Sequence, residues 1–175
     1  MTLPIEENEL SEEFIEEVLL CSRYNELDEL EEMLKNFDFT KNFLQLKSKS
    51  NNSTPLHFAA ANGNNSILNF FLKHLSINHL KIAGDNLETS DYGNTPLHFA
   101  SLNGNLESLK ILLQFGFDPK VKNNLGKTCS TLAEQQGHHD CVNLILKHWD
   151  DEDEDEKNLD IRNEEELEKQ RNLLV

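Results

Sequence analysis

Thr54-Pro55-Leu56-His57 returns 41 residues later as Thr95-Pro96-Leu97-His98, and each copy runs through a short apolar stretch into an Asn-Gly pair, Asn62-Gly63 and Asn103-Gly104. The residue types at these positions suit a helix start. A Thr side chain caps the free N–H groups of a first turn, and Pro fits that turn because its missing N–H would have had no partner there. Leu enters the core, the His ring is placed to bond a neighbouring loop, and the Gly links this helix to the next. A duplicated helix start at this separation marks an array of stacked helical units.

Gly137 follows Gly104 by 33 residues and Thr128 follows Thr95 by the same 33, which predicts another copy although Cys129-Ser130-Thr131 replaces Pro-Leu-His. Leu132, Ala133, Leu144 and Leu146 keep its buried pattern. Upstream, Asn25 stands where the linking Gly is expected, and Leu30, Met33 and Leu34 match Leu68, Phe71 and Leu72, which predicts a first unit. The Thr-Pro-Leu-His opening and the 33-residue period resemble the ankyrin repeat. The resemblance covers residues 14–149. It implies an all-α ankyrin-repeat solenoid of about four helix-turn-helix units with short β-hairpin loops and degenerate end repeats.

The linking positions are 38, 41 and 33 residues apart, so two gaps exceed the period by 5 and 8. From Leu34 to Thr54 is 20 residues and from Leu72 to Thr95 is 23, against 15 from Leu113 to Thr128, which puts both insertions between an outer helix and the next hairpin. Loops absorb additions at small entropic cost, whereas helix contacts would not. The expected layout is an arm at 1–10, a repeat domain at 11–149 with units at about 11–48, 49–88, 89–122 and 123–149, and an acidic tail at 150–175. Within a unit, Leu56, Phe58 and Ala59, then Ile67, Leu68, Phe71 and Leu72, have helical apolar spacing. One helix pair cannot bury both faces; stacking four makes a continuous core, and Ala59, Ala60 and Ala100 let the inner helices approach.

No apolar run approaches the ~20 residues of a membrane-spanning helix. The start, Met-Thr-Leu-Pro-Ile-Glu-Glu, has neither the basic residues nor the apolar stretch of a secretory signal. Cys21, Cys129 and Cys141 are an odd set without metal-ligand spacing and are expected to be buried, reduced thiols of a cytoplasmic and nuclear protein.

The net charge of −16 is unevenly placed: residues 1–32 carry 12 acids and one base, residues 150–175 carry 12 acids and four bases, and the stretch between is weakly basic. Both ends repel phosphate, which argues against direct nucleic-acid binding and for a basic protein partner. Phe14, Ile15, Val18 and Leu19 recur at helical spacing with Glu12, Glu13, Glu16 and Glu17 on the opposite face and Ser11 placed as cap, which predicts an acidic helical surface. Residues 150–156 are seven consecutive acids, expected to be disordered, and residues 164–174 have a helical stripe at Leu167 and Leu174. Solubility alone is the competing explanation for both acidic segments.

In an ankyrin array the hairpin tips and inner helices line a concave groove. The second unit would contribute Asn52, Ser53, Ala61 and Asn62, and the third Asp91, Tyr92, Asn94, Leu102 and Asn103. The fourth adds Asn124, Leu125, Lys127, Gln135 and Gln136. Tyr92, Leu102 and Leu125 are the candidate anchors, because the fold does not require apolar side chains at such tips; packing between tips is the alternative. With the acids Glu12, Glu13, Glu16 and Glu17, the residues Asn62, Asp91, Tyr92, Asn94, Leu102, Asn103, Leu125 and Gln135 form the expected partner-binding set. His57 and His98 share one repeat position and are expected to tie adjacent loops rather than hold a metal. With no nucleophile–base–acid set, phosphate-cradling glycine loop or metal signature, the sequence predicts neither an enzyme nor a cofactor. Trp149 is expected to seal the end of the core.

The tract Thr95-Pro96-Leu97-His98-Phe99-Ala100-Ser101-Leu102-Asn103-Gly104-Asn105, together with Ala59-Ala60-Ala61-Asn62-Gly63, resembles a small group of fungal ankyrin-repeat chaperones dedicated to a KH-domain ribosomal protein of the small subunit. Short length, degenerate end units, an expanded loop after the second unit and an acidic C-terminal tail are shared. That resemblance implies a chaperone in ribosome biogenesis, bound 1:1 or otherwise monomeric, which holds a newly made basic client soluble and covers its RNA-binding surface. A general ankyrin adaptor, or an inhibitor of a signalling or transcription protein, is the alternative, with the groove tips dominating and the tail dispensable.

Overall fold

The computed structural model describes residues 10–75 and 92–149. Helices come in pairs. The first pair is α1 (Glu12–Tyr24) and α2 (Leu27–Met33), followed by a short α3 (Phe39–Asn42) and a 3-10 turn (Phe43–Gln45). Then come α4 (Pro55–Asn62) with α5 (Asn65–His74), α6 (Pro96–Leu102) with α7 (Leu106–Gln114), and α8 (Cys129–Gln136) with α9 (139–149). In the inner row α1 packs on α4, α4 on α6 and α6 on α8, while α7 packs on α5 in the outer row. This is the all-α solenoid that the repeat spacing predicts. Among the described residues no strand is present, and the tips before α4 and α8 are turns closed by backbone bonds that include Ser48 N–H to Ser53 O and Asn123 N–H to Lys127 O.

The helix starts follow from their capping residues. Thr54 and Thr95 accept the backbone N–H of His57 and His98, and those rings accept the Thr N–H in return, so His completes the reciprocal cap usually made by Glu or Gln. Thr128 keeps the first half of this arrangement, accepting from Thr131 N–H. Asn25 ends α1 at φ +64°, doing the work of the glycine it replaces. Gly104, like Gly93, is a demanding position. Its φ is +69°, and a Cβ there would lie 2.6 Å from His138 Nδ1.

One core runs through the array, with Val18, Leu30, Leu56, Leu68, Phe71, Leu109, Leu112 and Ile145 shielded from solvent. Ala59, Ala60, Ala100 and Ala133 are fully buried between inner helices, as small residues at a close approach must be. Polar ties repeat with the helices. Asn64 Nδ2 donates to Ser22 O and Arg23 O at the end of α1, and Asn105 Nδ2 does the same to Ala60 O and Ala61 O at the end of α4. Each therefore satisfies carbonyls that the preceding helix leaves free.

Three expectations change. The first insertion is more than a loop: Phe37, Phe39 and Phe43 from residues 37–43 pack on α1 and α5, with the Phe39 ring stacked 4.7 Å from His74 and edge-on to Phe71 at 6.2 Å. Leu146 is exposed although Leu72 and Leu113 at the same register are buried, because in the last pair no further unit among the described residues covers that face of α9; Ile145, at the register of Phe71 and Leu112, is buried like them. Phe58 is half-buried rather than core. Trp149 packs against the core from the end of α9. The second insertion, residues 150–175 with Leu167 and Leu174, and most of the 1–10 arm lie outside the described residues.

Candidate partner-binding surface

Ser11 Oγ accepts Phe14 N–H at 3.2 Å and sets the start of α1, whose Val18 and Leu19 are buried while Glu12, Glu13, Glu16 and Glu17 are exposed. Three of these acids can be placed, on two sides of the helix. Glu12 and Glu16 face the tip before α4, where Lys49 pairs with Glu12. Glu17 faces α2, close enough to help Glu26 and Glu29 disfavour ionisation of Cys21. Burial first, and these acids second, push the Cys21 thiol up to about 11.

Cys21 and the carboxylates of Glu26 and Glu29 place three potential metal-ligand atoms within 4.8 Å of one another. A metal binding there would have to displace the proton of this thiol, a step that its raised pKa opposes. Cys129 is pushed up to about 12 and Cys141 is also raised, both chiefly by burial. Such thiols are packing groups, inert at neutral pH.

At the tips, Tyr92 and Leu125 are 55% and 61% exposed and sit on adjoining turns, since Asn124 N–H donates to Tyr92 O at 2.8 Å. Asp91, by contrast, lies outside the described residues. Leu102 is half-buried. The polar candidates are engaged within the array. Asn94 accepts His57 Nε2–H at its backbone carbonyl and Asn123 Nδ2–H at its side chain, so it is part of the framework. Asn103 Nδ2 donates to Ala61 O, Asn62 Nδ2 to Phe58 O, and Gln135 Oε1 accepts Lys127 Nζ–H. Ser53 is buried and offers a partner nothing.

The sequence reading missed the middle of the groove. Leu20, Phe58 and Phe99 each stand five residues before a helix-linking residue, and all three keep part of their surface in water. Leu20 and Phe58 line a cavity of about 170 Å³ between α1 and α4, together with Glu16, Leu19 and Arg23, whose guanidinium lies 5.8 Å from the centre of the Phe58 ring. The recurrence at one register was visible in the sequence. An apolar residue on an inner helix fits either face, so the spacing alone does not single these three out.

His57 and His98 bridge units. His57 Nδ1 accepts Thr54 N–H at 3.0 Å and its Nε2 meets Asn94 O at 3.1 Å; His98 repeats this with Thr95 N–H at 3.2 Å and Lys127 O at 3.0 Å. An acceptor at Nδ1 and a donor at Nε2 fix each ring as the neutral Nε2–H tautomer. Burial lowers the pKa of His98, opposed in part by the bond to Lys127 O.

A family model described as ankyrin repeats in three copies matches residues 18–123. The chain belongs to the ankyrin-repeat family. No curated protein matches it in sequence. Among solved structures it is similar to the ankyrin-repeat chain in the crystal structure of the yeast ribosomal protein Rps3 in complex with its chaperone Yar1. Identity is 30%, the TM-score is 0.73, and the match covers 81% of this chain and 96% of that one. An ankyrin-repeat array of this kind is a protein-binding scaffold, which agrees with a surface of exposed acids, tips and half-open apolar side chains.

Proposed function

We propose that the chain is an escort for a basic small-subunit ribosomal protein of the KH-domain type. It would bind the client 1:1 through the exposed acids of α1 and the groove beside them, keeping it soluble and its RNA-binding surface covered during ribosome biogenesis. The observation that carries this reading is the similarity to Yar1 over nearly the whole of that chaperone. Charge supports it: a client built to bind RNA forms nonspecific complexes driven by counterion release, and an acidic cover competes for the same cations. Glu12, Glu13, Glu16 and Glu17 would meet the basic segment, Tyr92, Leu102 and Leu125 would anchor it, and Asn62, Asp91, Asn103 and Gln135 would form the rim. The four units would divide at about 48, 88 and 122, with β-hairpins as their tips. The acidic tail would raise encounter rates in a salt-sensitive way. Action in the cytoplasm, continuing into the nucleus, belongs to the same reading.

The test is light scattering from purified yeast Rps3 transferred from high to low salt. An equimolar amount of this protein suppresses the aggregation if the reading is right; equal scattering with and without it removes the reading. Exposed Tyr92 and Leu125 favour a second reading, a general adaptor held by its tips. In that case alanine at both tips abolishes partner binding while removal of residues 150–175 does not affect it.

A further inference from the structure

The acids of α1 do not all face open water. Beside the helix the segment 46–53 makes a tight turn, anchored by buried Leu46 and Ser53 and closed by Ser48 N–H to Ser53 O and Asn52 N–H to Ser48 O, both 2.9 Å. Lys49, held at this turn, pairs with Glu12. Glu12, Ile15, Glu16 and Leu19 of α1, with Lys47, Ser48 and Lys49 of the turn, line a cavity of about 70 Å³. Carboxylates beside Ile15 and Leu19 are what a long cationic side chain needs, since its methylene stem prefers apolar surface and its head prefers an acid. Lys49 shows the ligand chemistry directly. The side chains of Lys49 and Glu12 are 71% and 67% exposed, so the pair is weak and opens readily.

Resting on the escort reading, we propose that this cavity is the subsite for one lysine or arginine side chain of the client, and that Lys49 is its resident stand-in, displaced when the client binds. A partner must then offer a better cation than the one already present. A protein with few basic residues gains little by exchanging one weak pair for another, whereas a densely basic segment that makes other contacts at the same time displaces Lys49 at small cost. The turn thus acts as a selectivity filter on the acidic helix.

The experiment is a double-mutant cycle on affinity for purified yeast Rps3 at low ionic strength, where surface charges are least screened. Lys49→Ala is compared with Lys127→Ala, which removes the same charge from the tip of the fourth unit, where Lys127 bonds Gln135 instead of α1. The expected result is that Lys49→Ala tightens binding by about two- to fivefold more than Lys127→Ala, the scale of a surface ion pair, and that Glu12→Gln abolishes this excess. Equal effects of the two lysine substitutions, or an excess that survives Glu12→Gln, overturn the subsite while leaving the escort reading in place. If Rps3 does not bind the unmodified protein at all, the escort reading fails and the subsite fails with it.

Discussion

Replacing His98 with alanine tests how the repeats are held in register. The ring is 2% exposed and serves three groups: Nδ1 accepts Thr95 N–H at 3.2 Å and lies 2.8 Å from Thr95 Oγ1, and Nε2 donates to Lys127 O at 3.0 Å. Truncation leaves a buried donor in one unit and an acceptor in the next without partners, at about 1–3 kcal/mol each. Two such losses, with the space left by the ring, give about 3–5 kcal/mol, a large part of the ~5–15 kcal/mol that stabilises a domain of this size. With a urea slope near 2 kcal/mol/M the unfolding midpoint falls by about 2 M, measured by circular dichroism. The pH dependence follows from the same contacts. Burial lowers the His98 pKa in the folded state, so below the ordinary histidine value of 6.5 the unfolded chain binds the proton more readily than the folded one. The stability contributed by His98 is therefore fully present above that pH and is lost as the pH falls from there toward the folded-state pKa. The variant lacks this component. A loss under about 1 kcal/mol, or an unchanged acid dependence in the variant, would refute the bridging role.

Gly104→Ala must strain a φ of +69° and displace the His138 ring, so it is expected to destabilise by about 1–3 kcal/mol in the same urea experiment. Gly126→Ala separates the two causes, because it has a similar φ of +72° but open space, and its loss is expected to be smaller. Cys129 and Cys141, buried and with raised pKa values, are expected to react with a thiol reagent at pH 8 only as fast as the protein opens, and at once in denaturant.

Much of the fold was legible in the sequence because the repeat constrains it locally. Thr, Pro, Gly and the Nδ1 side of each His act within one turn of their own position, so a 33-residue count locates helices without knowledge of the partner units. Even the irregular Asn25 could be placed, since a side-chain amide tolerates the left-handed conformation that the end of α1 requires. The first insertion was less legible. Phe37, Phe39 and Phe43 follow no helical period, and their packing on Phe14, Phe71 and His74 depends on the array being already assembled. The surface was legible only in outline. Charge identified the acids of α1, but not that Glu12 is already paired with Lys49, 37 residues away. Position predicted that Asn94 lies at a tip, but not that its hydrogen-bonding groups tie two units together.

The central claim is that the acidic face of α1 meets a cationic client. Its most direct test is the affinity for purified yeast Rps3 across a salt series, for the unmodified protein and for a variant with Glu12, Glu13, Glu16 and Glu17 all changed to Gln. The account predicts that binding of the unmodified protein weakens steeply with salt, and that at low salt the variant binds at least about tenfold more weakly, with a shallower salt slope. Equal affinity and equal slope for the two proteins would contradict it.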